Sequence, residues 1–285
     1  MQIELLRNDS SILDPFRIMK YKYDFCKNHP YFFKPFGTCI FCGPQGSGKT
    51  LSAVNYVYQI ADRYPYCIIV TNCQLRDYPF TAHLNDEGIL VDDATGIKVT
   101  SERILNGEIS RPVVPYTGLK SLTSIHNGEY GVVFFIDEIH LELNSLESQN
   151  IDIEVMIEIS QQRKQRKHII GTSQIFMRMA KPVREQVFNI ILCHCSLKML
   201  QFNKLIDGTT TTEKNGKLQA VVKARSIWFH KSDYYDRYDT YAKMKRYNHE
   251  WKGRAHSPVN FFEPDPQLPI DYMLSNSSPK KSKKV

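Results

Sequence analysis

No apolar run in this 285-residue sequence approaches the roughly 20 residues that a membrane-spanning helix requires. The longest, Val132-Val133-Phe134-Phe135-Ile136 and Ile190-Ile191-Leu192-Cys193, have the length of buried strands. The opening Met1-Gln2-Ile3-Glu4-Leu5-Leu6-Arg7 carries charge early and lacks the basic start and apolar core of a secretion signal. These absences lead us to expect no transmembrane segment and a cytoplasmic location. A disulfide framework is missing too: seven cysteines, an odd number without scaffold spacing, suit a reducing compartment. Cys39-Ile40-Phe41-Cys42 and Cys193-His194-Cys195 have ligand-like spacing, but each lies in an apolar strand pattern. We therefore read these cysteines as small buried side chains rather than zinc ligands. There is no internal repeat and no base-reading module such as a zinc finger.

What is present describes an ordinary globular chain, 42% apolar and 24% charged, long enough for one large α/β domain with additions. Residues 1–35 form a basic, aromatic lead-in, with Lys20, Lys22, Lys27 and Lys34 among Tyr21, Tyr23, Phe25, Tyr31, Phe32 and Phe33. Asp14-Pro15 reads as a helix start, and we expect the rings to pack on the domain edge rather than to stack on nucleic acid. From Phe36 short apolar runs alternate with helical stretches, the pattern of a parallel sheet with crossover helices. Strands are expected at 37–42, 67–71, 131–136 and 168–172, with helices at 49–62 and 151–166. Residues 88–91 read as a short strand inside a long irregular excursion over 74–130, which Pro112 and Pro115 punctuate. Strands at 188–197, 199–206 and 218–229 follow. Asp207-Gly208 and Asn215-Gly216 flank a polar tip and suggest a hairpin with an elongated loop. The expected fold is thus α/β, a mainly parallel sheet flanked by helices, with a C-terminal β-hairpin and helix added. We divide it into the lead-in, a core domain at 36–230, a helix at 231–254 and a flexible Pro/Lys-rich tail at 255–285.

Gly43-Pro44-Gln45-Gly46-Ser47-Gly48-Lys49-Thr50 matches G-x-x-x-x-G-K-[ST] between an expected strand and an expected helix. In such a P-loop, backbone N–H groups and the helix N-terminus surround phosphates. Lys49 reaches the β- and γ-phosphates of ATP, and the Thr50 hydroxyl ligates Mg²⁺. Asp137 and Glu138 end the apolar strand 132–136. Asp137 is assigned to Mg²⁺, directly or through water, and Glu138 to activating the attacking water. After the next strand comes Gly171-Thr172-Ser173-Gln174, where Gln174 is a candidate sensor beside the γ-phosphate.

The P-loop, Phe135-Ile136-Asp137-Glu138, Ser160-Gln161-Gln162-Arg163-Lys164 and His168-Ile169-Ile170-Gly171-Thr172-Ser173-Gln174, with Val183-Arg184 downstream, together resemble the FtsK/HerA superfamily of P-loop ATPases. Within it they are most similar to the zonula occludens toxin-like and viral DNA-packaging ATPases, over roughly residues 36–195. The resemblance implies a RecA-like ATPase fold, a sensor role for Gln174, and a homo-oligomeric ring, commonly a hexamer. In such a ring an arginine of one subunit completes its neighbour's site, and Arg163, Arg166 and Arg184 are the candidates. It also implies DNA as partner, with a capsid or membrane assembly as docking site in a virus-infected cytoplasm. The membrane span of many toxin-like members has no counterpart here, which favours a packaging motor or an assembly with a separate membrane partner. Formal charge is +7, with basic runs at 163–167 and 280–284 that suit a polyanion. Tyr234, Tyr238 and Tyr241 at helical spacing near Arg237, Lys243, Lys245 and Arg246 are either a DNA grip or a packing stripe. The alternatives to a motor are a small-molecule kinase, which would need an acceptor pocket and a lid and has no obvious place for the Thr172-Ser173-Gln174 strand end, and a nucleotide-switched assembly protein, against which Glu138 argues.

Overall fold

The computed structural model describes residues 14–35, 37–145, 151–214 and 217–238. Helix α1, Asp14–Asn28, begins at the Asp-Pro pair, but none of its residues is buried. Phe16, Met19, Tyr21 and Tyr23 stay exposed, and among the described lead-in aromatics only Phe33 enters the core. The expected packing on the domain edge therefore holds for Phe33, and Tyr31 meets the Tyr66 ring edge-on, whereas the rings of α1 do not share it. Phe25, His29 and Phe32 instead stack on one another.

β1, Gly37–Cys42, leads into α2, Lys49–Arg63, and then β2, Ile68–Thr71. The excursion that follows contains a small antiparallel pair, β3 (Ala82–Leu84) with β4 (Leu90–Asp92), then the one-turn helix α3 (Ser101–Leu105). It also contains β5, Val113–Pro115, which joins the main sheet beside β2. Its prolines concealed this strand, yet β5 is the last strand on its side, and an edge tolerates a residue without an N–H. After the short α4 (Ser121–Ser124) come β6 (Val132–Ile136), α5 (Ile153–Gln161) and β7 (Lys167–Ser173). Then follow the short α6 (Lys181–Arg184), β8 (Val187–Ser196) and β9 (Leu200–Asp207). A small ribbon, β10 (Thr212–Lys214) with β11 (Lys217–Gln219), separates β9 from β12 (Val222–Phe229), and α7 (Ser232–Tyr235) is a single turn.

The eight-stranded sheet has the order β12-β9-β8-β1-β7-β6-β2-β5. Strands β8 through β5 in that order run parallel, whereas β9 and β12 are antiparallel additions. This is a P-loop NTPase fold, mixed only at its C-terminal hairpin. Every residue of β1, β2, β6 and β7 is buried, as expected of parallel strands covered on both faces. Alternate side chains feed two cores. Phe41, Ile69, Phe135 and Ile170 pack under Val54, Val57 and Ile60 of α2, while Ile40, Val70, Phe134 and Ile169 pack with the excursion and with Val155 and Ile159 of α5.

Two expected helices are shorter than the sequence pattern suggests. α5 stops at Gln161, and the basic run after it is a turn in which Arg166 has φ 56°. Lys167 is buried in the sheet, paired with Glu158 and donating to the Leu122 carbonyl. One charge of the expected polyanion cluster is therefore internal, and Arg166 lies over the Phe32 ring at 4.0 Å. At the other end, α7 gives way to a turn, and Tyr238 bridges to Leu75. Tyr234 stacks on Trp228, and Arg237 sits between the Tyr58 and Tyr234 rings, so these tyrosines pack rather than form an exposed stripe. Residues 239–254 of the expected helix, with Tyr241, Lys243, Lys245 and Arg246, and the tail lie outside the described residues.

Candidate nucleotide site

The loop between β1 and α2 is built from close approaches that only glycine allows. A Cβ on Gly43 would lie 2.4 Å from the Ser47 hydroxyl and 2.7 Å from the Cys193 carbonyl. Gly48 caps α2 in the left-handed region, φ 75°, and a Cβ there would meet the Gln201 amide oxygen at 2.1 Å. Gln201, fully buried on β9, braces the loop from the side: its Nε2 donates to the Ser47 carbonyl at 3.0 Å and to Asn203 at 2.8 Å. His230 lies 3.1 Å from the Gln201 oxygen.

The first turn of α2 directs Lys49 and Thr50 toward the ends of β6 and β7. Thr50 donates to Asp137 Oδ1 at 3.0 Å, and Thr172 of β7 donates to the same oxygen at 2.5 Å. Asn72, just past β2, takes the Asp137 N–H at 2.8 Å and donates to its carbonyl at 3.0 Å. Burial pushes the Asp137 carboxyl above the ordinary carboxylate range; Thr172, Thr50 and Lys49 pull it back, while Glu138 adds to the rise. Glu138 follows in a left-handed conformation, φ 53°, uncommon for a residue with a side chain. That turn places its carboxylate 3.3 Å from Lys49 Nζ, and its N–H donates to Thr172 at 2.8 Å. Its second oxygen is buried without a hydrogen bond, 3.2 Å from His140 Nδ1 but poorly aligned with it. Burial lowers the His140 pKa, and Arg178 and Lys49 add to this against the pull of Glu138.

Lys49, Thr50, Asp137 and Glu138 thus converge as the spacing implies. Gln174 lies one residue beyond β7 and is exposed; the β7 side chain that reaches Asp137 is Thr172. Arg163, Arg166 and Arg184 precede β7 or β8, at the sheet edge opposite the P-loop, so none of them approaches the loop of its own chain. Arg184 contacts Met177 Sδ at 2.8 Å. Thr172, Asn72, His140 and Gln201 were not singled out from the sequence. Thr172 was within reach, being one alternation before Gln174, whereas Asn72 and Gln201 carry no motif.

The residues present fit a magnesium–nucleotide. Thr50 and Asp137 are hard oxygen ligands of the kind Mg²⁺ takes, and their oxygens lie 3.0 Å apart. The Ser47 hydroxyl and one Glu138 oxygen are buried and unpartnered. The cysteine groupings offer no comparable site: burial holds the Cys193 thiol up to about 12 and raises Cys39 and Cys42 as well.

No protein-family model and no curated protein matches the chain. Among solved structures, the N-terminal domain of zonular occludens toxin from Neisseria meningitidis is 15% identical over 72% of this chain and 100% of its own, with a TM-score of 0.45. The genome packaging NTPase B204 from Sulfolobus turreted icosahedral virus 2 is 15% identical over 70% of this chain and 97% of its own, at 0.43. The DNA-packaging ATPase B204 from Sulfolobus turreted icosahedral virus is 15% identical over 68% and 97%, at 0.37. The fold assignment rests on the chain's own strand order and loop.

Proposed function

We propose that this protein hydrolyses ATP with Mg²⁺ and uses the energy to move DNA, as a ring-forming motor for genome packaging or virion morphogenesis. The observation that carries hydrolysis is the convergence of Lys49 and Thr50 from the start of α2 with Asp137 and Glu138 from the end of β6. Bound Mg²⁺ supplies charge neutralisation on the phosphates. Lys49 exchanges its pairing with Glu138 for a γ-phosphate oxygen. Thr50 and Asp137 hold the cation, and Thr172 and Asn72 fix Asp137. Glu138, relieved of Lys49, takes a proton from the attacking water, and neutral His140 orients it. Gln174, at the open carboxyl edge, is positioned to report on the γ-phosphate.

The motor reading draws on the motif resemblance and on the net positive charge. An arginine acting in trans comes from the amino edge of a neighbouring subunit, with exposed Arg163 the most accessible of the three candidates. Measuring ATP turnover with and without single- and double-stranded DNA tests the whole reading. Turnover indifferent to both, with phosphate passed to a small acceptor instead, returns the chain to the kinase alternative.

A further inference from the structure

The sheet ends in a three-stranded section, β8-β9-β12, whose two faces differ. On the side facing α2, Gln201 and Asn203 of β9 reach the P-loop and Ser52. Residues directly opposite one another across a sheet share a face, so the register also fixes what the other side presents. Three rows cross it: Leu192–Lys204–Arg225, His194–Phe202–Ile227 and Ser196–Leu200–Phe229. Ile227 and Phe229 are 65% and 67% exposed, and His194, Lys204 and Arg225 are exposed as well. Leu192 packs against the core and Leu200 and Phe202 are half-buried, so the open part of the face is its β12 side together with His194 and Lys204.

We propose that this open face binds single-stranded nucleic acid, with Phe202 and Phe229 as stacking rings and Lys204 and Arg225 as phosphate partners. The proposal rests on the polymer-moving reading above and names where and in what form the polymer is held. Lys204 and Arg225 stand directly opposite each other, an arrangement that destabilises a strand pair when nothing neutralises it. Among the described residues neither has a carboxylate within ion-pair distance, whereas nearby Lys223 is paired with Asp207 at 3.2 Å. The face therefore keeps two cations ready for an external anion. The aromatic rows decide which anion. A flat sheet with half-exposed rings engages unstacked bases, each of which offers a π-face. A duplex keeps its bases stacked internally and would leave these rings against phosphates. Leu200 and Phe202 flank Gln201 on β9, so the strand that meets the polymer on one face holds the Ser47 carbonyl on the other.

Fluorescence anisotropy of the full-length protein with labelled oligo-dT and with a duplex of equal length, at several salt concentrations, tests this. Oligo-dT should bind at least tenfold more tightly than the duplex. Phe229→Ala should weaken it about tenfold, in keeping with the cost of losing one stacked base, and Phe229→Trp should restore it. Phe229 is mostly exposed, so its replacement leaves folding and DNA-free ATPase unchanged. Lys204→Ala and Arg225→Ala should each reduce the salt slope by about 0.7. Equal affinity for duplex, or oligo-dT affinity unchanged by all three substitutions, overturns the proposal and leaves the motor reading standing. Loss of self-association in Phe229→Ala by light scattering, with DNA affinity intact, also overturns it and makes the face a contact between copies. Normal ATPase with no binding of either DNA form defeats the motor reading itself, and this proposal with it.

Discussion

Replacing Gly48 by alanine tests how the P-loop is held. Two costs add at this position. The left-handed φ of 75° costs a residue with a side chain about 1–2 kcal/mol. The new Cβ would also sit 2.1 Å from the Gln201 oxygen and 2.9 Å from its Cδ, so the amide must leave. Gln201 is fully buried and makes three hydrogen bonds, to the Ser47 carbonyl, Asn203 and His230. At about 1 kcal/mol net for each, its displacement costs about 3 kcal/mol, and Gly48→Ala should destabilise by about 4–5 kcal/mol. Gln201→Ala alone loses the same three bonds, about 3 kcal/mol. In the double variant those bonds are lost only once, leaving a total near 4–5 kcal/mol rather than the 7–8 of independent effects. Urea unfolding of the four proteins measures the coupling, expected at about 2–3 kcal/mol. Strict additivity would refute the claim that Gln201 is what fills the space a side chain at Gly48 needs. Affinity for a non-hydrolysable ATP analogue should follow the same pattern, because the displaced amide releases the Ser47 carbonyl.

Three further outcomes follow from the site. Glu138→Gln should retain ATP binding and lose at least 100-fold in single-turnover hydrolysis; turnover within a few-fold of wild type rules Glu138 out as base. Thr172→Val removes the donor to Asp137 and the acceptor for the Glu138 N–H, which should cost about 1–3 kcal/mol of stability and weaken Mg²⁺ binding, whereas Thr172→Ser should retain both. Because the Asp137 pKa is raised, protons compete with the cation at a higher pH than at an ordinary aspartate. Mg²⁺-dependent ATP-analogue affinity should therefore fall as pH drops through that raised value. Calorimetric titrations should show less pH dependence in Asp137→Asn, and identical profiles would reject Asp137 as ligand.

Much of this was legible in the sequence. A G-x-x-x-x-G-K-T loop between an apolar strand and an amphipathic helix specifies its own local geometry, and the fully buried β1, β2, β6 and β7 announce themselves as unbroken apolar runs. Local pattern misled where a tertiary contact intervened. The prolines of β5 suggested irregular chain until an edge position accommodated them. The basic run at 163–167 looked like a surface for a polyanion, although Lys167 finds its partner Glu158 inside.

The sequence by itself determined which residues are candidates for the chemistry, because loop, lysine, threonine and acidic pair lie in short contiguous stretches whose conformation is set locally. Only the tertiary structure decided what holds them. Thr172 and Asn72 meet Asp137 because β7 is inserted between β1 and β6 and β2 follows next in the sheet. Gln201 meets the loop because an antiparallel strand more than 150 residues downstream is added beside β8. Such contacts depend on strand order and register, and no run of neighbouring residues records which distant side chain will face which.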